Sequence, residues 1–308
     1  MRTQIINFLL EQQNRDGSWG FSPAKAGAIE PTAYALMALA SEETGRKAVE
    51  LGVEFLRRTQ TARGAWPVNT QDSEEAAWAT ALAGVALLGF EGTESMCTTA
   101  AQFVVDSFGR HPRPWILRLA DWMRSFDASY IEENRGGWKW NPATANWVEP
   151  TSYALMFLKK LQQSVTNPRA SGGNAFKPII AEAEGLLYQR MCKEGGWNYG
   201  NAQVLGEELR PYPLTTAVAL IALQNASNAE CQKSLGYLQR AVREERSALA
   251  LCMVVHCFGL YGIPAEPWMQ AATDLYGETQ YFHNIKTSAL ALLALQSLDG
   301  KSPFRLAS

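Results

Sequence analysis

The chain has 308 residues, 47% of them hydrophobic and 19% charged, which is ample material for a core and excludes a disordered or collagen-like protein. Its length alone fits one large domain or two ordinary ones. Lys+Arg 28 against Asp+Glu 30 leaves a formal charge of −2 with no basic run to track a phosphate backbone, so nucleic acid is not an expected partner.

The opening MRTQIINFLLEQQ returns to polar residues too soon for a signal-peptide core, and no apolar run approaches the roughly 18 residues of a membrane span. The expectation is a cytoplasmic chain whose contact with a membrane, if any, is peripheral. Five cysteines, Cys97, Cys192, Cys231, Cys252 and Cys257, are odd in number and nowhere spaced as CxxC, which fits reduced thiols better than a disulfide framework. Ten tryptophans against three histidines require an aromatic-lined site or a repeated packing device.

A repeat is visible along the chain. Leu9–Trp19 (LLEQQNRDGSW), Phe55–Trp66 (FLRRTQTARGAW), Tyr130–Trp138 (YIEENRGGW) and Leu186–Trp197 (LLYQRMCKEGGW) each read as a helix end, a polar stretch, glycine and tryptophan. A small-residue helix follows each: EPTAYALMAL from Glu30, EEAAWATALAGVAL from Glu74, EPTSYALMFL from Glu149 and PLTTAVALIAL from Pro213. A fifth such helix, IKTSALALLAL from Ile285, has no tryptophan before it. Segments 96–108 and 115–126 supply another predicted helical pair, and 234–261 one more. The stretch QQSVTNPRASGGNAFK (162–177) predicts an exposed connection.

The second helix of each unit is apolar on nearly every side and is therefore buried, while its more amphipathic partner lies outside it. Pro31 and Pro150 suit the first turn, where Glu30 and Glu149 face the positive end of the helix dipole. About six such hairpins close a ring of inner and outer helices. The expected fold is all-α, an α/α toroid forming one domain over residues 1–308.

The segments Gln12/Gln13–Asp16–Gly17–Ser18–Trp19 and Glu194–Gly195–Gly196–Trp197 resemble the QW repeat of squalene-hopene and oxidosqualene cyclases, and protein prenyltransferase β subunits share the toroid. The resemblance runs from Leu9 to about Leu298 and weakens over 90–129 and 226–280. It implies that Trp19, Trp66, Trp138 and Trp197 are scaffold. It also implies that the N-terminal ends of the inner helices converge on one cavity, lined by Glu30, Trp140, Trp147, Glu149, Arg210, Tyr212, His283 and Lys286. Helix N-termini there favour an anion such as a diphosphate, and aromatic walls favour a polyprenyl chain or a carbocation.

Asp72–Ser73–Glu74–Glu75–Ala76–Ala77 resembles the Asp-x-Asp-Asp-Thr-Ala motif of class II cyclases, whose middle acid protonates an alkene or epoxide. The resemblance makes Glu74 the proton donor, with Asp72 and Glu75 tuning it, although the second and third aspartates of the motif are glutamates here and its threonine is Ala76. Clustered carboxylates can hold one member protonated. The same residues also read as a capping box, Asp72 at the N-cap and Glu75 three residues on. Zinc-dependent prenyl transfer needs an Asp and a Cys two residues apart. The matching segment Arg210–Leu214 has neither, and His283 alone binds no metal tightly, so no metal or cofactor is expected. Cys252 and His256 stand at i, i+4 spacing in an apolar helix with no third ligand nearby and read as core.

The resemblance implies acid-initiated cyclisation of a polyprenyl substrate, with an isoprenoid as the small-molecule ligand. A second reading is a non-catalytic isoprenoid-binding or protein-interaction module. A third is a glycoside-processing toroid with paired carboxylates, in which Trp138, Trp140 and Trp147 are sugar platforms. Squalene-hopene cyclases use two toroids where this sequence has one, which makes a second protein chain a candidate partner.

Overall fold

The computed structural model describes residues 1–109, 136–141, 144–164, 176–224, 226, 228–279, 282 and 284–306. Twelve α-helices lie within them: α1 (Arg2–Glu11), α2 (Ile29–Leu39), α3 (Arg46–Thr59), α4 (Ala77–Leu87), α5 (Glu94–Asp106), α6 (Val148–Ser164), α7 (Lys177–Gln189), α8 (Pro213–Ala222), α9 (Ala229–Ala241), α10 (Ala248–Tyr261), α11 (Glu266–Thr279) and α12 (Ile285–Leu298). A two-residue hairpin, β1 (Gln203–Val204) with β2 (Glu207–Glu208), precedes α8. No helix among the described residues is long and apolar enough to cross a membrane.

The even-numbered helices form a closed ring in which each packs on the next and α12 returns to α2. Every residue of α2 is buried, as its small-residue sequence requires. The odd-numbered helices lie outside: α3, α5, α7, α9 and α11 pack on the inner helix that precedes each, and α1 packs on α12. This is the α/α toroid expected from the repeat.

One device sets the ring. At each Trp turn the indole N–H donates to a carbonyl near the end of an outer helix: Trp19 to Leu9 O, Trp66 to Leu56 O, Trp138 to Val104 O and Trp197 to Leu187 O, at 2.6–2.9 Å. The tryptophan's own backbone N–H donates to a threonine hydroxyl in the first turn of the following inner helix: Thr32, Thr80, Thr151 and Thr216, at 2.9–3.1 Å. Its carbonyl accepts from the residue just before that helix: Ala28, Ala76, Trp147 or Tyr212. All four indoles are fully buried. The inner helices α10 and α12, which lack the tryptophan, start instead on side-chain caps, Ser247 and Asn284.

The turn also grips the next outer helix. Gly17 has φ +91° and Gly64 φ +84°, and a Cβ on either would collide with the backbone of α3 at Leu51 or of α5 at Thr99. Gln13 Nε2 donates to both Gly17 O and Ala48 O, and Gln60 Nε2 repeats this with Gly64 O and Met96 O. Ring closure uses the residue two after the tryptophan, whose carbonyl accepts from the first residue of a neighbouring inner helix: Ile29 to Val68 O, Val148 to Tyr199 O and Ile285 to Phe21 O.

One expectation needs adjustment. The helix expected from Glu74 begins at Ala77, because Ala76 N–H is held by Trp66 O and Glu75 pairs its backbone with Pro67. Within 96–108, α5 packs on α4 and its Val104 carbonyl takes the indole N–H of the third Trp turn, with residues 110–135 between them in sequence. The predicted partner helix 115–126, the stretch 130–135 and most of the connection 162–177 lie outside the described residues.

The last described segment closes the ring from its far end. Phe304, 2% exposed, lies with its centroid 6.3 Å from Tyr34 and 5.3 Å from His256. Gln224 Nε2 donates to Phe304 O, and its Oε1 accepts from Leu306 N–H. His256 Nε2 hydrogen-bonds Ser302 Oγ at 2.8 Å, so this histidine serves the core and its tail, beside a Cys252 that is also buried.

Trp19→Ala and Trp197→Ala should lower unfolding free energy by about 3–5 kcal/mol, as large core truncations do. Thr80→Val keeps the shape but leaves the Trp66 N–H buried without an acceptor, an expected loss of about 1–3 kcal/mol in urea titrations.

Candidate active site at the mouth of the ring

Because the Trp turns fix the starts of the inner helices, equivalent residues of those helices meet at one end of the ring. Glu30 in α2, Trp78 in α4, Glu149 in α6 and Lys286 in α12 are each the second helical residue. Lys286 Nζ lies 2.6 Å from Glu30 Oε1, with side-chain exposures of 17% and 9%. One helical turn deeper stand Tyr34 and Tyr153, so α2 and α6 both read Glu-Pro-Thr-x-Tyr, with Glu and Tyr at i and i+4 on one face. Lys286 Nζ also sits 5.7 Å from the Tyr34 ring centroid, a cation–π contact. Tyr34 is fully buried, with Tyr153 beside it. Tyr34, Tyr153 and Phe304 thus fill the ring below the mouth.

The two carboxylates have unlike surroundings. Glu30 faces an ammonium. Glu149 accepts a hydrogen bond from Thr215 Oγ1 at 3.2 Å. Burial pushes its carboxyl above the usual carboxylate range, more than Lys286 and Thr215 draw it back. Lys286 shows the balance from the other side: burial pulls its ammonium down, but the Glu30, Tyr34 and Glu149 fields together outweigh it and leave the group raised. Burial likewise pushes the Tyr34 phenol up to about 12 and Tyr153 well above its ordinary value. Both phenols are neutral.

Next to the residues that precede α6 opens a cavity of about 550 Å³, walled by the third and fourth Trp turns and the β-hairpin. Tyr199 and Tyr212 stack on its rim, centroids 5.0 Å apart and planes 30° apart, each nearly half exposed. Burial and the nearby Glu149 raise the Tyr199 phenol. Trp147, Arg210, Glu208 and the buried Asn146 line the rest. Buried Arg190 donates to the Asn146 carbonyl, and Glu208 pairs with Lys193 at 3.2 Å. A smaller cavity of about 370 Å³ lies between the second and third turns, lined by Arg63, Glu75, Lys139 and Trp140.

The sequence-derived residues divide accordingly. Glu30, Glu149 and Lys286 meet at the mouth. Trp147, Arg210 and Tyr212 share the large cavity. Trp140 stacks edge-on against Trp78 at 4.9 Å and borders the small one. Trp138 is scaffold. His283 lies outside the described residues.

The acidic cluster does not form the dry acid site expected of it. Asp72 and Glu74 are exposed, and Asp72 Oδ1 accepts from Glu74 N–H in a local turn. Glu75 is held by Thr61 Oγ1 at 2.6 Å and by Arg63 at 2.7 Å, in the small cavity. The capping box is not formed either, since Ala76 is the N-cap of α4. The helix position matching Glu30 and Glu149 is Trp78.

Tyr34, Tyr153, Thr215, Asn146 and Tyr199 were not among the expected site residues. The repeated Glu-Pro-Thr-x-Tyr could have flagged both tyrosines. Nothing local in the sequence marks Asn146.

No protein-family model matches the chain, and no curated protein is significantly similar to it. Among solved structures, an α-amylase from Clostridium perfringens shares 11% identity at a TM-score of 0.63, covering 96% of this chain and 97% of that one. An inactive α-1,6-mannanase, GH76A of Salegentibacter sp. HEL1_6 in complex with α-1,6-mannotetrose, shares 10% at 0.60, covering 96% and 98%. Candida albicans protein geranylgeranyltransferase-I complexed with GGPP shares 13% at 0.50, covering 71% and 58%. At these identities the likeness is one of fold: the α/α toroid is common to glycosidases and prenyltransferases alike.

Lys286→Met strands the Glu30 carboxylate in a mostly buried setting and should destabilise the protein by about 3–5 kcal/mol. The double variant Glu30→Gln/Lys286→Met removes both charges and should recover most of that loss in thermal unfolding.

Proposed function

We propose that the protein cleaves a glycosidic bond at the mouth of the ring. The observation that carries this reading is the pairing of Glu30 and Glu149, which occupy the same position in two copies of one helix motif yet differ in environment. Burial lets the Glu149 carboxyl retain its proton to higher pH, while Glu30 lies against the Lys286 ammonium; glycoside hydrolysis uses a proton donor and a second carboxylate. In this mechanism Glu149 donates its proton to the bridging oxygen as the C–O bond breaks. Glu30 supports the positive charge that develops at the anomeric carbon, and water supplies the new hydroxyl there, its remaining proton restoring Glu149 or leaving to solvent.

Two further features support a saccharide over a polyprenyl chain. Phe304, Tyr34 and Tyr153 occupy the ring where a long hydrocarbon would have to run, leaving a rim cavity with aromatic faces and polar edges. The exposed Glu74 lacks the water-free setting that alkene protonation requires. The near full-length likeness to an α-amylase and an α-1,6-mannanase agrees with this choice.

The test is a panel of α-linked gluco- and manno-oligosaccharides assayed for reducing ends. Glu149→Gln and Glu30→Gln should each lower turnover by at least about a hundredfold, within the usual contribution of a general acid. Because the Glu149 pKa is raised, the protonated form persists at higher pH than an ordinary glutamic acid allows. Activity should therefore fall as pH rises through that raised value, and the basic limb should disappear from the residual rate of Glu149→Gln. Failure of wild type to cleave any saccharide, together with tight binding of farnesyl or geranylgeranyl diphosphate, would instead favour an isoprenoid-binding module.

A further inference from the structure

The exposed apolar surface is concentrated at one place. Among the described residues eight large hydrophobic side chains are exposed, and five of them, Tyr199, Val204, Leu205, Leu209 and Tyr212, fall between residues 199 and 212. The two tyrosines, Val204 and Leu209 wall the same cavity, and Leu205 follows Val204 at the tip of the β-hairpin, so the five form one patch. Leu205 is its most informative member. With Gly206 it makes the two-residue turn between β1 and β2, at φ +52° and +83°. Two left-handed residues in succession favour Asn-Gly, Asp-Gly or Gly-Gly, which adopt that backbone with less strain. Ala24 is the one other non-glycine residue with a positive φ among the described residues. The Leu205 side chain is as exposed as in an extended chain, so it contributes no packing to its own fold. The hairpin therefore needs no leucine here, yet it holds one outward on a strained backbone beside an apolar hollow.

We propose that the patch is a two-fold interface between two copies of this chain, each hairpin placing its Leu205 over the tyrosine-walled cavity of the other. Three observations favour a second copy. The patch presents a projecting knob and a recess side by side, and a two-fold axis brings each onto the other twice. Its charges are self-complementary: Arg210 and Glu207 are exposed and have no ion-pair partner among the described residues, whereas Lys193 and Glu208 already neutralise each other. In the dimer Arg210 meets the partner's Glu207, and the reciprocal pair forms across the axis. On ordinary side-chain areas the five residues expose roughly 500 Å², which suits the apolar centre of an interface of about 800 Å² per partner. An anionic bilayer fits less well, because the unpaired Glu207 adjoins the turn and would be driven into a negative surface. A leucine side chain is small beside a cavity of about 550 Å³, so the partner's hairpin roofs the cavity without filling it. The interface does not depend on the glycosidic reading. Where that reading holds, the partner's Leu205 becomes part of the wall that a saccharide meets.

The test measures the mass of the full chain by sedimentation velocity and light scattering, from low micromolar to submillimolar protein. Wild type should reach twice 34.0 kDa as the concentration rises. Leu205→Asp, which tolerates the left-handed turn, sets a charge at the centre of an apolar contact and should raise the dimer dissociation constant about tenfold or more. Its far-UV circular dichroism should match wild type, because the leucine packs on nothing in its own chain. Arg210→Glu and Glu207→Arg should each weaken the dimer several-fold, and the double variant should regain most of that loss, since the exchanged charges still meet across the axis. A wild type that stays monomeric at every concentration overturns the proposal, and so does a dimer that Leu205→Asp leaves intact. Monomeric protein that floats with phosphatidylcholine–phosphatidylserine vesicles, and is released by Leu205→Asp, makes the patch a membrane anchor and overturns it as well. Reducing-end assays on the same samples keep the two readings apart: a Leu205-dependent dimer that cleaves no saccharide supports the interface and removes the glycosidic reading.

Discussion

The tryptophan clamp is the interaction on which the rest of this structure depends. An indole N–H on an outer-helix carbonyl, a backbone N–H on a threonine and a carbonyl on the residue before the inner helix together fix three elements at one point. Each partner is buried, so each bond is far stronger than its exposed equivalent and costly to leave unmade. Repeated four times, the clamp holds inner helices at a common height, and the Gln13 and Gln60 amides pass the constraint to the next outer helix. The two inner helices without it use ordinary side-chain caps. Their neighbours pack on both sides of them in a closed ring, so their position needs less local specification.

That arrangement separates stability from chemistry. Below the mouth, apolar faces and the inserted Phe304 fill the ring. At the mouth, the second residue of an inner helix is free to vary, and it reads Glu30, Trp78, Glu149, Leu214, Leu249 and Lys286 around the circle. Substitution there changes the site and leaves the clamps in place. The same position places carboxylates near free helix N–H groups, which favours their anionic forms, while burial opposes it. Glu149 is the case in which burial prevails.

The sequence discloses the ring well and the site only partly. Trp, Gly and the small-residue helices are local patterns, and their physical roles survive changes elsewhere, so α2, α6 and α12 begin within a residue of where the repeat places them. The pattern is hardest to follow where the repeat is interrupted. Val104 and Trp138 are partners across residues 110–135, and no local pattern shows that a helix ending before that span belongs to the turn after it. It also misleads at Asp72–Glu75, where a short acidic string resembles a motif whose meaning depends on pointing into the ring. The backbone of Glu75 pairs with Pro67 and stays out of α4, and its carboxylate is held by Thr61 and Arg63. Three of the expected mouth residues, Glu30, Glu149 and Lys286, were legible because they stand at helix starts. Asn146 was not, because what distinguishes it is the absence of a partner, and that is a property of its surroundings.

The closed ring also constrains what kind of ligand the mouth can serve. A hollow toroid offers depth, and depth suits a chain that must be shielded from water along its length. Here Tyr34 meets Phe304 within the ring, and Gln224 and His256 tie the segment carrying Phe304 to two inner helices. Opening that path would require breaking several buried hydrogen bonds and exposing a fully packed aromatic, which sets a steep free-energy barrier against use of the interior. On the proposed reading, recognition belongs to the rim, where the Trp turns differ most from one another in length and composition. The rim presents the stacked, half-exposed Tyr199 and Tyr212 beside Arg210 and Glu208, a surface that suits a ligand apolar on one side and polar at its edge. The scaffold's symmetry fixes where a ligand can bind, and the unequal turns decide which ligand it is.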